Sequence, residues 1–206
     1  MYRKKRIFQL NLSGISPHLP FLIFCLVFIV GVLLGNLFVG KFEYFNGLAV
    51  KSFNDFYTAR QGADWPMMIK NSFYNILPPY LIIFLLGTSI VGCVCAPSVL
   101  FILGIRFGLI SGHLYITYKL NGIIFNCLIL IPWQLIMLFG LILLTKEAFG
   151  FSKTLSGVCI RSNKPVNVYS SFKNYSIKSA ITLIAAVISV IFDIGMSSLF
   201  MGYFTF

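Results

Sequence analysis

Residues Ile124 to Leu144 read IFNCLILIPWQLIMLFGLILL. Nearly every side chain is apolar, and the run is long enough to cross a bilayer core of roughly 30 Å. Yet Pro132, Trp133 and Gln134 sit together in its middle. Proline has no N–H, so in a helix Pro132 leaves the carbonyl of Leu128 without its usual donor. Lipid offers no replacement, so the donor has to come from the protein. Gln134 is the side chain placed to supply it, to its own helix or to a neighbour, with Trp133 filling the bend. The segment therefore reads as a kinked membrane helix with polar glue, or as the wall of a lined cavity.

The rest of the chain agrees with a membrane setting. Of 206 residues 58% are hydrophobic and only 10% charged, and mean hydropathy is +0.91. The expectation is an all-α polytopic bundle in one membrane domain over residues 1–206, with no separate soluble unit. Five spans are expected, at about residues 20–39, 76–96, 97–118, 122–145 and 178–203. The second and third meet at CVCAPSVL with no charged loop, as a tight hairpin or a helix broken at Pro97. The basic start MYRKKRIF leads into a long apolar run without a small-residue cleavage site, which reads as a signal anchor.

The net charge of +11 sits on residues flanking apolar runs. That distribution suits anionic headgroups and argues against nucleic acid. Arg3, Lys4, Lys5, Arg6, Lys146, Lys153, Arg161, Lys164, Lys173 and Lys178 share one side in a five-span layout. Lys41, Lys51, Arg60, Lys70 and Lys119 share the other. This bias predicts a cytoplasmic N-terminus and an extracytoplasmic C-terminus in the plasma membrane. The outer loop, residues 40–75, repeats apolar residues at near-helical spacing. It reads as an interfacial helix, or as a cap over the bundle. Phe53, Phe56, Tyr57 and Trp65 in it are candidate partner contacts. The basic, aromatic cytoplasmic loop, residues 146–177, reads as a second interfacial segment.

The third span, LFILGIRFGLISGHLYITY, carries Gly104, Gly108 and Gly112 four apart, a ridge that admits close helix approach. Arg106 lies about 200° around the helix from Gly104, and His113 and Thr117 share its face. An arginine at mid-membrane costs at least about 3 kcal/mol unless paired or hydrated. Asp193 is the one acid within the spans, so an Arg106–Asp193 pair is expected; the alternative is that Arg106 snorkels inward while Asp193 stays protonated or faces an outer cavity. Arg106, His113, Pro132, Gln134 and Asp193 form the expected intramembrane polar cluster.

Catalytic chemistry finds little support. The two histidines, His18 and His113, have no serine or second histidine at a useful spacing, and Glu43 and Glu147 stand at span ends. Cys25, Cys93, Cys95, Cys127 and Cys159 show no metal spacing and read as packing residues. No enzyme activity, metal or cofactor is expected. The expected partners are membrane lipids and, in a homo-oligomer, a second copy of the chain.

The order of motifs carries a resemblance. A glycine-bearing span, FLIFCLVFIVGVLLGNLF, is followed by IKNSFYNIL, IFLLGTSIVGCVCAPSVLFILGIRFGLISGHL, an NG turn, and LILIPWQLIMLFGLILL. This resembles the stage II sporulation protein M family of integral membrane proteins over about residues 20–205, most strongly from Asn71 to Glu147. The matching positions are Asn71 or Asn75, Gly87, Gly92, Arg106, Gly108, Gly112, Gly122, Pro132 and Gln134. Two departures mark a divergent member: Phe107 stands between Arg106 and Gly108, and Trp133 separates Pro132 from Gln134. The resemblance implies a non-catalytic scaffold that works with peptidoglycan hydrolases during sporulation engulfment. On that reading the outer loop is the contact surface and the polar cluster is structural. A transporter or channel subunit would instead use the cluster as a path.

Overall fold

The chain was analysed as a computed structural model, which describes residues 19–62, 64–160 and 167–204. The basic start, His18, Arg161 and Lys164 lie outside the described residues. The element order is α1 (Leu19–Lys41), α2 (Glu43–Thr58), α3 (Trp65–Gly87), α4 (Gly92–Phe125), a π turn (Asn126–Leu130), α5 (Ile131–Ile160), α6 (Val168–Phe200) and a short 3-10 turn (Met201–Tyr203). Among the described residues there is no strand.

Three helical stretches, Leu19–Lys41, Gly92–Cys159 and Val168–Tyr203, are long and apolar enough to cross a membrane. Their exposure pattern is the reverse of a soluble bundle. Leu22, Leu26, Leu33 and Leu37 of α1 point outward, while Asn126, Thr145, Ser152, Ser189 and Asp193 are buried. Apolar residues outside and polar ones inside suit a lipid solvent, in which internal hydrogen bonds have no competitor.

The long stretch Gly92–Cys159 folds back on itself. Asn126 Nδ2 donates to Ser111 Oγ at 3.2 Å, whereas fifteen residues of straight helix would separate them by about 22 Å. The reversal falls at Lys119, whose φ of 48° and ψ of −121° interrupt α4. The NG pair lies just beyond. A side chain at Gly122 would overlap the carbonyl of Leu114, so the returning arm passes too close for a Cβ.

α1 and α4 make the tightest helix pair. A Cβ on Gly104 would lie 2.5 Å from Phe28 O and 3.2 Å from the Cα of Gly31, and one on Gly112 would meet Asn36. The glycine ridge is thus occupied by α1 of the same chain. Elsewhere in the bundle, Tyr175 of α6 is sandwiched between Phe84 and Phe151, at centroid distances of 5.4 and 5.1 Å. Its hydroxyl donates to Phe84 O at 2.9 Å.

Several expectations change here. Residues 76–96 are not one helix: they take in the end of α3, a turn at 88–91 and the start of α4. The break comes at Gly87 and Thr88 rather than at Pro97. Thr88 Oγ1 donates to Leu85 O and Ser89 Oγ accepts from Val91 N, so local side-chain bonds end α3 first. Ser152 of α5 then reaches across to accept from Cys93 N at 2.9 Å and to donate to Ser89 O at 2.7 Å. It satisfies an open N–H in the first turn of α4. The expected cytoplasmic loop is largely helix, since α5 continues to Ile160 and α6 starts at Val168. The proline kink takes the form of the π turn, in which Ile131 N–H bonds to Asn126 O. This widening just ahead of Pro132 makes room for a ring that would crowd the preceding turn.

Candidate functional site: a cavity and a buried ion pair

α2 is amphipathic and docks on the bundle. Ala49, Phe53 and Tyr57 are buried, with the Phe53 ring 5.8 Å from Phe125 and 6.2 Å from His113. Tyr57 also donates its hydroxyl to Phe204 O at 2.9 Å. The expectation that Phe53, Phe56 and Tyr57 offer a contact surface is therefore corrected. Two are buried and Phe56 is half-buried; only Trp65, 64% exposed, remains free for contact. Their spacing marks a buried face, and aromatic content alone did not show which way that face turned.

The chain just after α2 delivers Arg60 into the bundle, where it is 3% exposed. Its Nη2 meets Asp193 Oδ2 at 2.5 Å. Ser72 Oγ of α3 donates to the same carboxylate oxygen at 2.7 Å. The guanidinium also lies over the Phe56 ring, 3.6 Å from its centroid, and donates from Nη1 to Phe56 O at 3.2 Å. Three elements meet in this enclosed network. The expected Arg106–Asp193 pair is overturned: Asp193 is committed to Arg60. Sequence reasoning counted Arg60 only as an outer-loop charge and did not single out Ser72. The available signal was the lone intramembrane acid, which needs some cation, and arginine suits enclosed pairs best.

Arg106 faces a different place. Its Nη2 donates to Asn75 Oδ1 at 3.4 Å, and both side chains line a cavity of about 400 Å³. α2 contributes Ser52, Asp55 and Phe56 to the wall, and α3 contributes Asn71, Tyr74 and Asn75. α5 supplies Trp133 and Gln134, continued by Met137, Leu138 and Leu141. The Trp133 ring lies parallel to Phe56, with centroids 6.4 Å apart and an angle of 10°. Trp133 Nε1 and Gln134 Oε1 are both buried without a hydrogen-bond partner. Gln134 thus helps line a cavity, and no hydrogen bond from it repairs the helix at Pro132.

The expected cluster is divided by the fold. Arg106 and Gln134 share the cavity wall, and Pro132 precedes it in α5. His113 is buried elsewhere, with Nδ1 at 3.2 Å from Asn46 Oδ1 and 3.3 Å from Thr117 Oγ1. Asp193 belongs to the ion pair. Among the described residues no cluster of His, Cys, Asp or Glu is arranged to hold a metal. Chemically, the cavity can bind and orient a solute through one cation, one acid and several amides on an aromatic wall. Comparison with protein-family models, curated proteins and solved structures gives no match.

Proposed function

We propose that this chain is a five-span, non-catalytic scaffold of the plasma membrane. Its role would be the one implied by its resemblance to the stage II sporulation protein M family, holding peptidoglycan-remodelling partners during engulfment. The five crossings are α1, the apolar half of α3, the two arms of Gly92–Cys159, and α6. The N-terminus is cytoplasmic and the C-terminus extracytoplasmic, following the positive-inside bias.

The observation that carries the reading is the Arg60–Ser72–Asp193 network. It ties the segment between α2 and α3 to the last helix and gives that extracytoplasmic end a fixed shape. The exposed Trp65 and Met67, at 64% and 57%, stand on this braced end and are the proposed contact face. Affinity purification from gently solubilised membranes tests it. Cell-wall hydrolases should co-purify, and the double variant Trp65→Ala, Met67→Ala should release them. Unchanged recovery with that variant sinks the contact face, and absence of hydrolases sinks the scaffold.

The cavity at Arg106 favours a second reading, the membrane subunit of a transporter or channel. Recovery of an ATPase or a solute-binding protein in the same experiment would select it.

A further inference from the structure

The cavity wall carries both signs of charge, Arg106 and Asp55, each on an exposed residue and neither in an ion pair among the described residues. All five acidic residues lie among the described residues. Asp193 is bound to Arg60 and Glu147 to Lys178. Neither these nor any other acid bridges to Arg106, whose hydrogen bond goes to the neutral amide of Asn75. Asp55, on the α2 wall, has no ion-pair partner among the described residues. The buried groups are balanced in the same way: Trp133 Nε1 is an open donor and Gln134 Oε1 an open acceptor. Trp133 is 7% exposed, so its N–H is shut away from bulk solvent. An unmet buried donor or acceptor carries a real desolvation cost. Trp133 and Gln134 both line the cavity, and residues with unmet polar atoms on one cavity wall mark a binding site.

We propose that this cavity binds a zwitterion with an apolar body. The ligand's anionic group sits at Arg106 and the Trp133 N–H, and its ammonium at Asp55 and Gln134 Oε1. An anion alone would leave Gln134 Oε1 unmet, and a cation alone would leave the Trp133 N–H unmet; the exposed Arg106 and Asp55 then set which end of the ligand goes where. The apolar body lies against Phe28, Phe107 and Leu138, which line the same space. Two sources carry this chemistry: a free amino acid with an apolar side chain, and the phosphoethanolamine headgroup of a membrane lipid. The site depends on neither functional reading above, since a scaffold and a transporter can each hold such a ligand.

The chain contains two tryptophans, so Trp65→Phe leaves Trp133 as the sole reporter at the site. The purified single-tryptophan protein is titrated in neutral detergent with L-leucine, with isoamylamine, which lacks the carboxylate, and with isocaproate, which lacks the ammonium. In parallel it is placed in nanodiscs containing phosphatidylethanolamine or phosphatidylglycerol with brominated chains. Saturable response to leucine, with both truncated analogues weaker by roughly ten- to hundredfold, supports the site with a free solute. Stronger quenching by the brominated ethanolamine lipid than by the glycerol lipid supports it with a headgroup. Arg106→Gln and Asp55→Asn should each weaken whichever response is seen by a similar factor. Isocaproate binding as tightly as leucine, or equal quenching by the two lipids with no leucine response, overturns the zwitterion. No saturable response to any probe overturns the site. The analogue and lipid comparisons use one protein, so they stand even if a charge variant fails to fold.

Discussion

Cutting the buried ion pair on one side should cost far more than removing it whole. Arg60 and Asp193 side chains are 2% and 0% exposed, and Ser72 adds a second bond to the same oxygen. Asp193→Asn leaves the guanidinium enclosed without a counter-charge, and Arg60→Gln leaves the carboxylate so. Either change should destabilise by about 3–5 kcal/mol, the usual range for breaking an enclosed pair from one side. The double variant Arg60→Met, Asp193→Leu removes both charges and keeps the volume. It should fall within about 2 kcal/mol of the parent, because the desolvation cost vanishes with the attraction. The assay is reversible unfolding in mixed micelles, read as a double-mutant cycle, with an expected coupling of at least about 2 kcal/mol. The same cycle for Arg106 and Asp193 should give less than about 0.5 kcal/mol, as for residues that share no partner. Additive single effects at Arg60 and Asp193, or a larger coupling at Arg106, would refute the assignment.

Outcomes at four further positions follow from the geometry and are read by thermal or chemical unfolding. Gly104→Ala places a methyl 2.5 Å from Phe28 O and should destabilise by about 1–3 kcal/mol through overpacking. Gly150→Ala, with nothing within 4 Å of its added Cβ, should be neutral or slightly stabilising and serves as the control. Lys119 holds a φ of 48°; Lys119→Gly should relieve strain and stabilise by about 1 kcal/mol, while Lys119→Val should destabilise. Ser152→Ala removes the acceptor for Cys93 N and the donor to Ser89 O, both at a helix junction, and should cost about 1–2 kcal/mol.

The helical, membrane-suited character was legible because it rests on composition and run length, which are local properties. The four-residue glycine spacing likewise displayed a packing face, though it did not name α1 as the partner. What the sequence could not display was pairing across the fold. Asp193 and Arg60 are 133 residues apart, and Arg106, the arginine placed within a span, was the expected partner instead. That expectation left out α2, which turns back over the bundle and brings Arg60 inward. Phe53 was named a candidate partner contact with the cap over the bundle left open as the alternative, since a helix beside a membrane and a helix docked on a bundle have the same periodicity. The turn at 88–91 was missed because Pro97 looked like the stronger breaker. Yet a serine and a threonine bonding to nearby backbone end a helix as effectively as a proline does.

The distance in sequence between Arg60 and Asp193 also sets an order of events during synthesis. At roughly 5–20 residues per second, the 133 residues between them take about 7–27 s to emerge. Throughout that interval the nascent chain carries an arginine whose counter-charge has not been made. The last helix therefore does more than add one more apolar segment: its arrival neutralises a charge laid down near the start. A chain that stalls or is truncated before Asp193 keeps that charge unmet, and the membrane's quality-control proteases would have a chemical mark by which to tell the unfinished protein from the complete one.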